Sequence, residues 1–330
     1  MCATVGADRE AIITVADLGE FGLIAEIQAL LPPDAAAIVG VGDDAAVLAA
    51  PDGRIVATTD LLIDGRHFRR DWSSARDIGI KAAAQNLADI AAMGAAPTAL
   101  LFGLAIPGGT AAAWVLDVTR GLIEECGRGG AVIAGGDVTS SDTVMLAISA
   151  LGDLAGRAPI TRAGARPGDV IAISGVVGRS AAGLALLRAG LGVGRSADAG
   201  DLVAAHLRPQ PDYQSGPQAA AAGATAMIDV SDGLVADLGH VAAASGVCID
   251  VQSASLAGAS LSAVAAELGL DWRDWALGGG EDHVLAASFP PDVSVPHTWA
   301  AIGRAREGNG VLVDSAPWQG RAGWDHFHDL

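Results

Sequence analysis

Nine carboxylates in this chain sit where an apolar run meets a small-residue turn. They are Asp43 and Asp44 in GVGDDAAVL, Asp60 in VATTDLLIDGRHF, Asp89 in NLADIAAMGA, Asp137 in IAGGDVTSS, Asp229 and Asp232 in MIDVSDGL, and Glu281 and Asp282 in GGGEDHVL. A carboxylate so placed is aimed out of its element into a cleft. Hard oxygen donors gathered in this way suit Mg²⁺, which prefers carboxylates, waters and substrate phosphates to nitrogen or sulfur. The pattern points to metal-assisted phosphate chemistry.

Each motif also has a plainer reading. Asp44 and Asp60 lie 16 residues apart, close enough for two neighbouring strands to present them together, with Thr58 and Thr59 adding oxygens to the same ion. Gly-Asp is equally ordinary turn chemistry. Asp89 falls between Leu87 and Ile90 in a helical pattern, where it is either a surface residue or a buried one that needs a partner or a cation. Ser231 or Asp232 can cap the helix after MIDV, and that helix N-terminus can also receive a phosphate. Gly175, Gly178 and Gly183 could cradle phosphate, but tight packing accounts for them better. Arg162 in PITRAG has the better claim, since a guanidinium fork grips phosphate oxygens, against the usual solvated position of an arginine. His67, seven residues after Asp60, can reach the same cleft or serve a structural role. No Ser-His-Asp, Cys-His or His-x-x-x-His arrangement can be assigned.

The elements that must carry these residues alternate between strand and helix. LGEFGLIAEIQALL reads as a first helix after an extension over residues 1 to about 17. AAIVGVGDDAAVL and RIVATTDLLID read as strands. Residues 75–93 read as a helix with Ile78, Ala82, Leu87 and Ile90 on one buried face. TALLFGLAIP, AVIAGG and TVMLAISALG are further strands, and AAAWVLDVTRGLIEECGRG a helix. The Gly-, Pro- and Arg-rich GRAPITRAGARPGD marks a break, so two domains are expected, 1–155 and 156–330. Beyond it come strands VIAIS and AMIDV and helices SAAGLALLRAG, QSGPQAAAAGA and SDGLVADLGHVAAAS.

Composition narrows the classes. A chain of 330 residues, 51% hydrophobic and 18% charged, has core enough for two domains and is not disordered. A formal net charge of −18 argues against nucleic acid as a partner, although metal ions can still bring nucleotides to an acidic surface. Lys81, the one lysine beside nineteen arginines, is read as coding bias, and it leaves no G-x-x-x-x-G-K-[ST] loop. Cys2, Cys126 and Cys248 have no metal or redox spacing and read as free thiols. With no signal-peptide pattern and no apolar run of about 20 residues, a soluble cytoplasmic protein off the membrane is expected.

Taken in order, GDDAAVL, TTDLLIDGRHF, NLADIAAMGA, GGDVTSS, TRAGARPGD, HLRP, DVSDGL and GGGED resemble the thiamine-monophosphate kinase family of the AIR-synthetase-like (PurM-like) superfamily. The likeness runs from GEFGLI at Gly19 to WDHF at Trp324. It implies an α+β, two-domain PurM-like architecture whose N-terminal domains pair their sheets in a homodimer, with nucleotide near that interface. It implies direct transfer of the γ-phosphoryl of ATP to thiamine monophosphate, with several Mg²⁺ ions between the substrates and no covalent intermediate. By motif match Asp44, Thr58, Thr59, Asp60, Asp89, Asp137, Asp229 and Asp232 hold metal. Gly136, Asp137, Arg162 and Ser231 contact ATP, and His67, Glu281 and Trp324 face thiamine monophosphate. Metal and positioning supply the catalysis, so no catalytic side chain is assigned. One departure stands out: the family's usual GGEDYEL reads GGEDHVL here, with His283 and Val284 in place of an aromatic and an acidic residue.

The alternatives are a sister enzyme of the AIR synthetase, selenophosphate synthetase or hydrogenase-maturation type, and a non-catalytic thiamine-phosphate-binding relative. Selenophosphate synthetase would want a lysine near Cys2, and the hydrogenase-maturation enzyme a cysteine-bearing tail where this chain ends WDHFHDL. AIR synthetase fits the NLADIAAMGA and GRHF segments less well.

Overall fold

The computed structural model describes residues 12–32, 37–39, 45–191 and 196–324. Helix α1 (Val15–Leu30) starts earlier than the sequence suggests, because Thr14 and Asp17 form a reciprocal capping box. Thr14 also bridges to Ala111, and the Ala112 N–H donates to Ile13 O at 2.9 Å, so residues 12–17 belong to the folded body. The hairpin β1 (Ala37–Val39) and β2 (Val47–Leu48) leads to β3 (Val56–Ile63), α2 (Ala75–Ala92), β4 (Ala96–Ile106), α3 (Ala112–Gly129), β5 (Val132–Ser140) and β6 (Met145–Asp153).

Strands β3, β6, β4 and β5 form a four-stranded sheet in that order, antiparallel except for the β4–β5 pair that α3 connects. Helices α2 and α3 cover one face of it. They meet at two glycines: a Cβ on Gly79 would lie 2.0 Å from Val118 O, and one on Gly121 would lie 2.2 Å from Arg76 O. On the other face Ala57, Thr59 and Leu61 are exposed, Leu61 by 51%.

The second half runs β7 (Val170–Ile173), α4 (Arg179–Arg188), α5 (Ala197–Leu207), α6 (Ser215–Ala222), β8 (Ala226–Val230), α7 (Leu234–Ser245), β9 (Cys248–Val251), a 3₁₀ turn (Ser253–Leu256), α8 (Ala259–Leu268), α9 (Trp272–Gly278), β10 (Val284–Phe289), β11 (Ala300–Arg306), β12 (Gly310–Val313) and β13 (Ala316–Pro317). Its seven strands take the order β13-β12-β9-β11-β7-β10-β8, which puts β8 at an edge.

A single buried cluster joins α2 and α3 to Ala172, Met227, Leu285, Ala287 and Phe289 of this second sheet. Helix α2 is therefore packed between the two sheets and is buried nearly all round, not on the one face its periodicity suggests. Cys126 and Cys248 are buried free thiols, and burial pushes the Cys126 thiol up to about 12. Cys2 lies outside the described residues.

Candidate active site

Against that burial, Lys81, Gln85 and Asp89 form a polar stripe on α2 at i, i+4 and i+8, the spacing that stacks side chains on one helix face. The stripe reaches in three directions. Asp89 Oδ2 accepts from Thr58 Oγ1 at 2.8 Å, Gln85 Nε2 donates to Asp60 Oδ2 at 3.0 Å, and Lys81 Nζ lies 3.0 Å from Glu281 Oε1 in the other half of the chain. Thr58 and Asp60 alternate with Thr59 along β3, so they point toward α2 while Thr59 points to the open sheet face. The Thr59 hydroxyl instead donates to Ile148 O at 2.8 Å and accepts from Ser149 Oγ at 3.0 Å. Of the hydroxyl and carbonyl oxygens that Thr58 and Thr59 could offer an ion beside Asp60, the Thr58 hydroxyl lies on the Asp60 side of β3 and the Thr59 hydroxyl does not.

Across the seam, edge strand β8 supplies Asp229 and the turn Ser231–Asp232. Burial, then the charges of Asp229 and Asp60, push the Asp89 carboxyl up to about 7, so carboxylates from the two halves repel one another across the cleft. The same causes, burial and then Asp229, push Asp237 up to about 7. Neither Ser231 nor Asp232 caps α7. The Asp237 carboxylate folds back from inside the helix and accepts from Asp232 N at 3.1 Å and Gly233 N at 3.0 Å. His283 Nδ1 lies 3.6 Å from Asp229 Oδ2, an ion contact too long for a hydrogen bond. Burial pulls the His283 pKa down, but the Asp229 carboxylate outweighs it and holds the imidazole above its ordinary value.

The Glu281–His283 loop is backbone-strained: Glu281 (φ 63°) and His283 (φ 53°) both adopt left-handed conformations without being glycine. Their N–H groups donate to Ser231 O at 2.7 Å and Val230 O at 2.9 Å, which ties the loop to the β8 turn. Glu281 meets Lys81 on one oxygen, and His206 Nδ1 lies 3.3 Å from the other and 3.0 Å from Ser180 Oγ. Burial raises the Glu281 pKa, but Lys81 and His206 together bring it below its ordinary value. Asp282 turns away from the cleft. It accepts from Gly178 N at 2.5 Å and Ser180 N at 2.9 Å, so these amides of the Gly175–Gly183 turn serve Asp282 and leave packing as the role of those glycines.

Other expected residues lie farther off. Asp137 pairs with Gly103 on edge strand β5, and through Ala147 shares the open face with Leu61. It therefore stands at the opposite edge and on the opposite face of the sheet from Asp60. Gly136 packs where a Cβ would lie 2.0 Å from Phe102 O. Arg162 is exposed, and its carbonyl accepts from Ser245 Oγ at 3.1 Å. Ser245 ends α7 and Ser231 precedes it, a separation of about 18 Å along a twelve-residue helix, so the Arg162 backbone lies at the far end of α7 from Ser231. His67 Nδ1 accepts from Ile63 N at 3.0 Å within its own turn. The Trp324 backbone N–H donates to Asp232 O at 2.9 Å, the residue is 39% exposed, and the Arg321 guanidinium lies 4.9 Å from the ring centroid. Asp43 and Asp44 fall outside the described residues.

Gln85, Asp237 and Lys81 are site residues outside the acidic motifs, and His206 enters only as part of HLRP. The available signal was the K-x₃-Q-x₃-D stripe in an otherwise apolar helix. Among the described residues, no three His, Cys, Asp or Glu side chains could enclose one metal ion. Mg²⁺ is commonly held by one or two carboxylates with waters and substrate phosphates, and the cleft fits that kind of site. Asp229 Oδ2 is buried without a hydrogen-bond partner, and Asp89, Asp60 and Asp229 oppose one another without enough fixed positive charge between them.

The family model described as AIR synthase related protein, N-terminal domain, matches residues 42–154. Thiamine-monophosphate kinase of Mycobacterium tuberculosis (strain ATCC 25618 / H37Rv) is 49% identical over 317 residues, covering 95% of this chain and 93% of the relative. The chain belongs to the thiamine-monophosphate kinase family. Among solved members, the thiamine-monophosphate kinase of Stenotrophomonas maltophilia K279a aligns with a TM-score of 0.79 at 33% identity, covering 89% of this chain and 96% of that one. AaThiL complexed with AMPPCP and TMP aligns with a TM-score of 0.79 at 32% identity, covering 94% and 98%. The mixed α+β, PurM-like fold of the thiamine-monophosphate kinase family is thus shared over nearly the whole chain. Among the described residues no helix is long and apolar enough to cross a membrane.

Proposed function

We propose that the cleft between the halves transfers the γ-phosphoryl of ATP directly to the phosphate of thiamine monophosphate, giving thiamine diphosphate and ADP. The observation that carries this is the meeting of Asp60 and Asp89 from the first half with Asp229 from the second, in a chain of the thiamine-monophosphate kinase family. An acceptor phosphate has a second pKa near 6, so its attacking oxygen is already anionic at neutral pH and needs no general base. In the transfer that oxygen forms a bond to the γ-phosphorus as the bond to the β–γ bridging oxygen breaks, and ADP leaves with the electron pair. What the site must supply is alignment and positive charge.

Lys81 is engaged by Glu281, so its charge is already balanced within the protein, and His283 faces Asp229. Asp60, Asp89, Asp229 and Asp232, with the Thr58 hydroxyl, would hold Mg²⁺, and Asp44 would join them. Bound there, Mg²⁺ would neutralise the phosphoryl oxygens and bring two anionic substrates together. Gln85 orients Asp60, Thr58 orients Asp89, and Asp237 fixes the turn that presents Ser231 and Asp232. Ser231 contacts the phosphate end of ATP. Gly136, Asp137 and Arg162 contact more distant parts of the nucleotide, and Thr59 joins Asp137 on the exposed side. Glu281, His67 and Trp324 face thiamine monophosphate, the indole beside a cationic thiazolium.

The reading extends to domain and assembly. The halves divide near residue 155, and the open face around Leu61 pairs with a second copy in a cytoplasmic homodimer. Incubation of purified protein with Mg-ATP and thiamine monophosphate tests the activity. Equimolar thiamine diphosphate and ADP are expected, and binding of both substrates without turnover would favour the non-catalytic alternative.

A further inference from the structure

Lys81 is the only lysine in the chain and is 2% exposed, in a helix packed between two sheets. An ammonium group is costly to remove from water, and a buried lysine is seldom found without a partner. Its partner is Glu281 in the other half of the chain, 3.0 Å away, and that carboxylate is itself 32% exposed. Glu281 is constrained from three sides. Its backbone is left-handed and bonded to Ser231 O, Lys81 meets Oε1, and His206 lies 3.3 Å from Oε2. Burial, then the charge of Lys81, holds His206 down to about 4, so at neutral pH the imidazole is neutral and Lys81 is the cation in the group. Lys81 also sits two turns from Asp89 on the same helical stripe, so one rigid element sets both positions.

We propose that Lys81 is a positioning residue that holds the Glu281 carboxylate across the seam between the halves, so that Glu281 binds the thiamine end of the acceptor. The proposal rests on the kinase reading above. An aminopyrimidine donor and a cationic thiazolium both suit a fixed carboxylate, and thiamine alone offers the cation, whereas the triphosphate of ATP offers Glu281 only like charge. Without Lys81 the carboxylate loses its charge partner and either takes up a proton or swings toward water, and in both cases the acceptor loses its contact.

The test is steady-state kinetics with each substrate varied in turn, on wild type, Lys81→Met, Lys81→Arg, Glu281→Gln and the Lys81→Met/Glu281→Gln double variant. Lys81→Met should raise KM for thiamine monophosphate roughly 10- to 100-fold, the scale of one lost charged hydrogen bond. Its KM for ATP should stay within about twofold, and Lys81→Arg should recover most of the loss because it restores a cation. The double variant should match Glu281→Gln, since Lys81 acts only through Glu281. Equal rises in both KM values, or a double variant that loses far more than Glu281→Gln, would overturn the proposal. If Lys81→Met does not fold, the Glu281→Gln and double-variant comparison decides, because the double variant leaves no charge unpaired. A wild type that makes no thiamine diphosphate defeats the kinase reading; an active wild type with insensitive Lys81 variants defeats this proposal alone.

Discussion

His283 Nδ1 and Asp229 Oδ2 stand 3.6 Å apart, and each is buried without a hydrogen-bond partner. The family's usual tyrosine at this position has been replaced by a residue that can carry a positive charge. Asp229 and Asp89 thus face an imidazole that the Asp229 carboxylate holds above its ordinary pKa, and its protonated form offsets their repulsion before any ligand binds. Replacing His283 with Phe should destabilise the metal-free protein, because it removes the ion contact that faces the buried Asp229 carboxylate and leaves that charge beside Asp89 uncompensated. The loss should be much smaller in Mg-ATP, where bound cations take over the compensation. Thermal melts in both states measure this, and equal losses in both would show that His283 serves packing alone.

The pH dependence of stability follows from protons that the folded cleft retains. Asp89 and Asp237 are pushed up to about 7 and Asp282 to about 6, in each case chiefly by burial, from an ordinary 3.8. The folded state therefore binds more protons than the unfolded chain between these values. The stability these groups contribute is fully present below about pH 4 and is lost as the pH rises through 6 and 7. His283, held above 6.5, acts in the same direction, while His206, held down to about 4, opposes it below 6.5. Four groups against one give a melting temperature that is lower at about pH 8 than at about pH 5.5 in the absence of metal. A rise over that interval would contradict the assignment.

Asp60 accepts from Gln85 at 3.0 Å on the α2 side of β3, close enough to Asp89 to raise its pKa. Asp60→Asn keeps an oxygen but removes the charge. Mg-ATP at a hundredfold excess over Kd should stabilise wild type by about 2.7 kcal/mol. Mg²⁺ alone should add little, ATP with a chelator almost nothing, and Asp60→Asn should lose the Mg-ATP effect together with activity. Protection of wild type by metal-free ATP equal to that by Mg-ATP would remove the metal from this site.

Leu61 is 51% exposed on the uncovered face of the four-stranded sheet, beside half-buried Ala147 and Gly103. A charge there would be buried unpaired if two such faces meet. If the proposed homodimer pairs these faces, wild type should sediment as a dimer in analytical ultracentrifugation and Leu61→Asp as a folded monomer. A wild type that sediments as a monomer, or a Leu61→Asp variant that stays dimeric, would contradict this pairing.

Local signals in the sequence are sufficient for most of the strands and helices up to α7, but not for α5, whose Gly- and Ala-rich ADAGDLVAAHL has little apolar periodicity, nor for the split of AAIVGVGDDAAVL into β1 and β2. The acidic motifs are legible, although Asp60, Asp137 and Asp229 lie within their strands and Asp89 within α2 instead of at the turns. The seam itself was not legible. Lys81 meets Glu281 and Asp89 senses Asp229 only because α2 is enclosed by two sheets, a long-range arrangement that periodicity within one helix does not encode. The reach of Asp237 back to the turn at Asp232 and Gly233 was missed for a different reason. The sequence offered nearer capping residues in Ser231 and Asp232, and only the path of the backbone decides between them. Thr58 and Thr59 were grouped together because adjacency in sequence suggests adjacency in space, whereas alternation along β3 sends them to opposite faces.

Direct transfer between two anionic substrates in the cleft between the halves is best tested by rapid-quench turnover of ATP labelled at the γ-phosphoryl. Label should pass from ATP to thiamine diphosphate with no labelled protein at any time, and the kinetics should fit a ternary complex. A labelled phosphoenzyme that forms from ATP alone and is discharged by thiamine monophosphate would contradict the account.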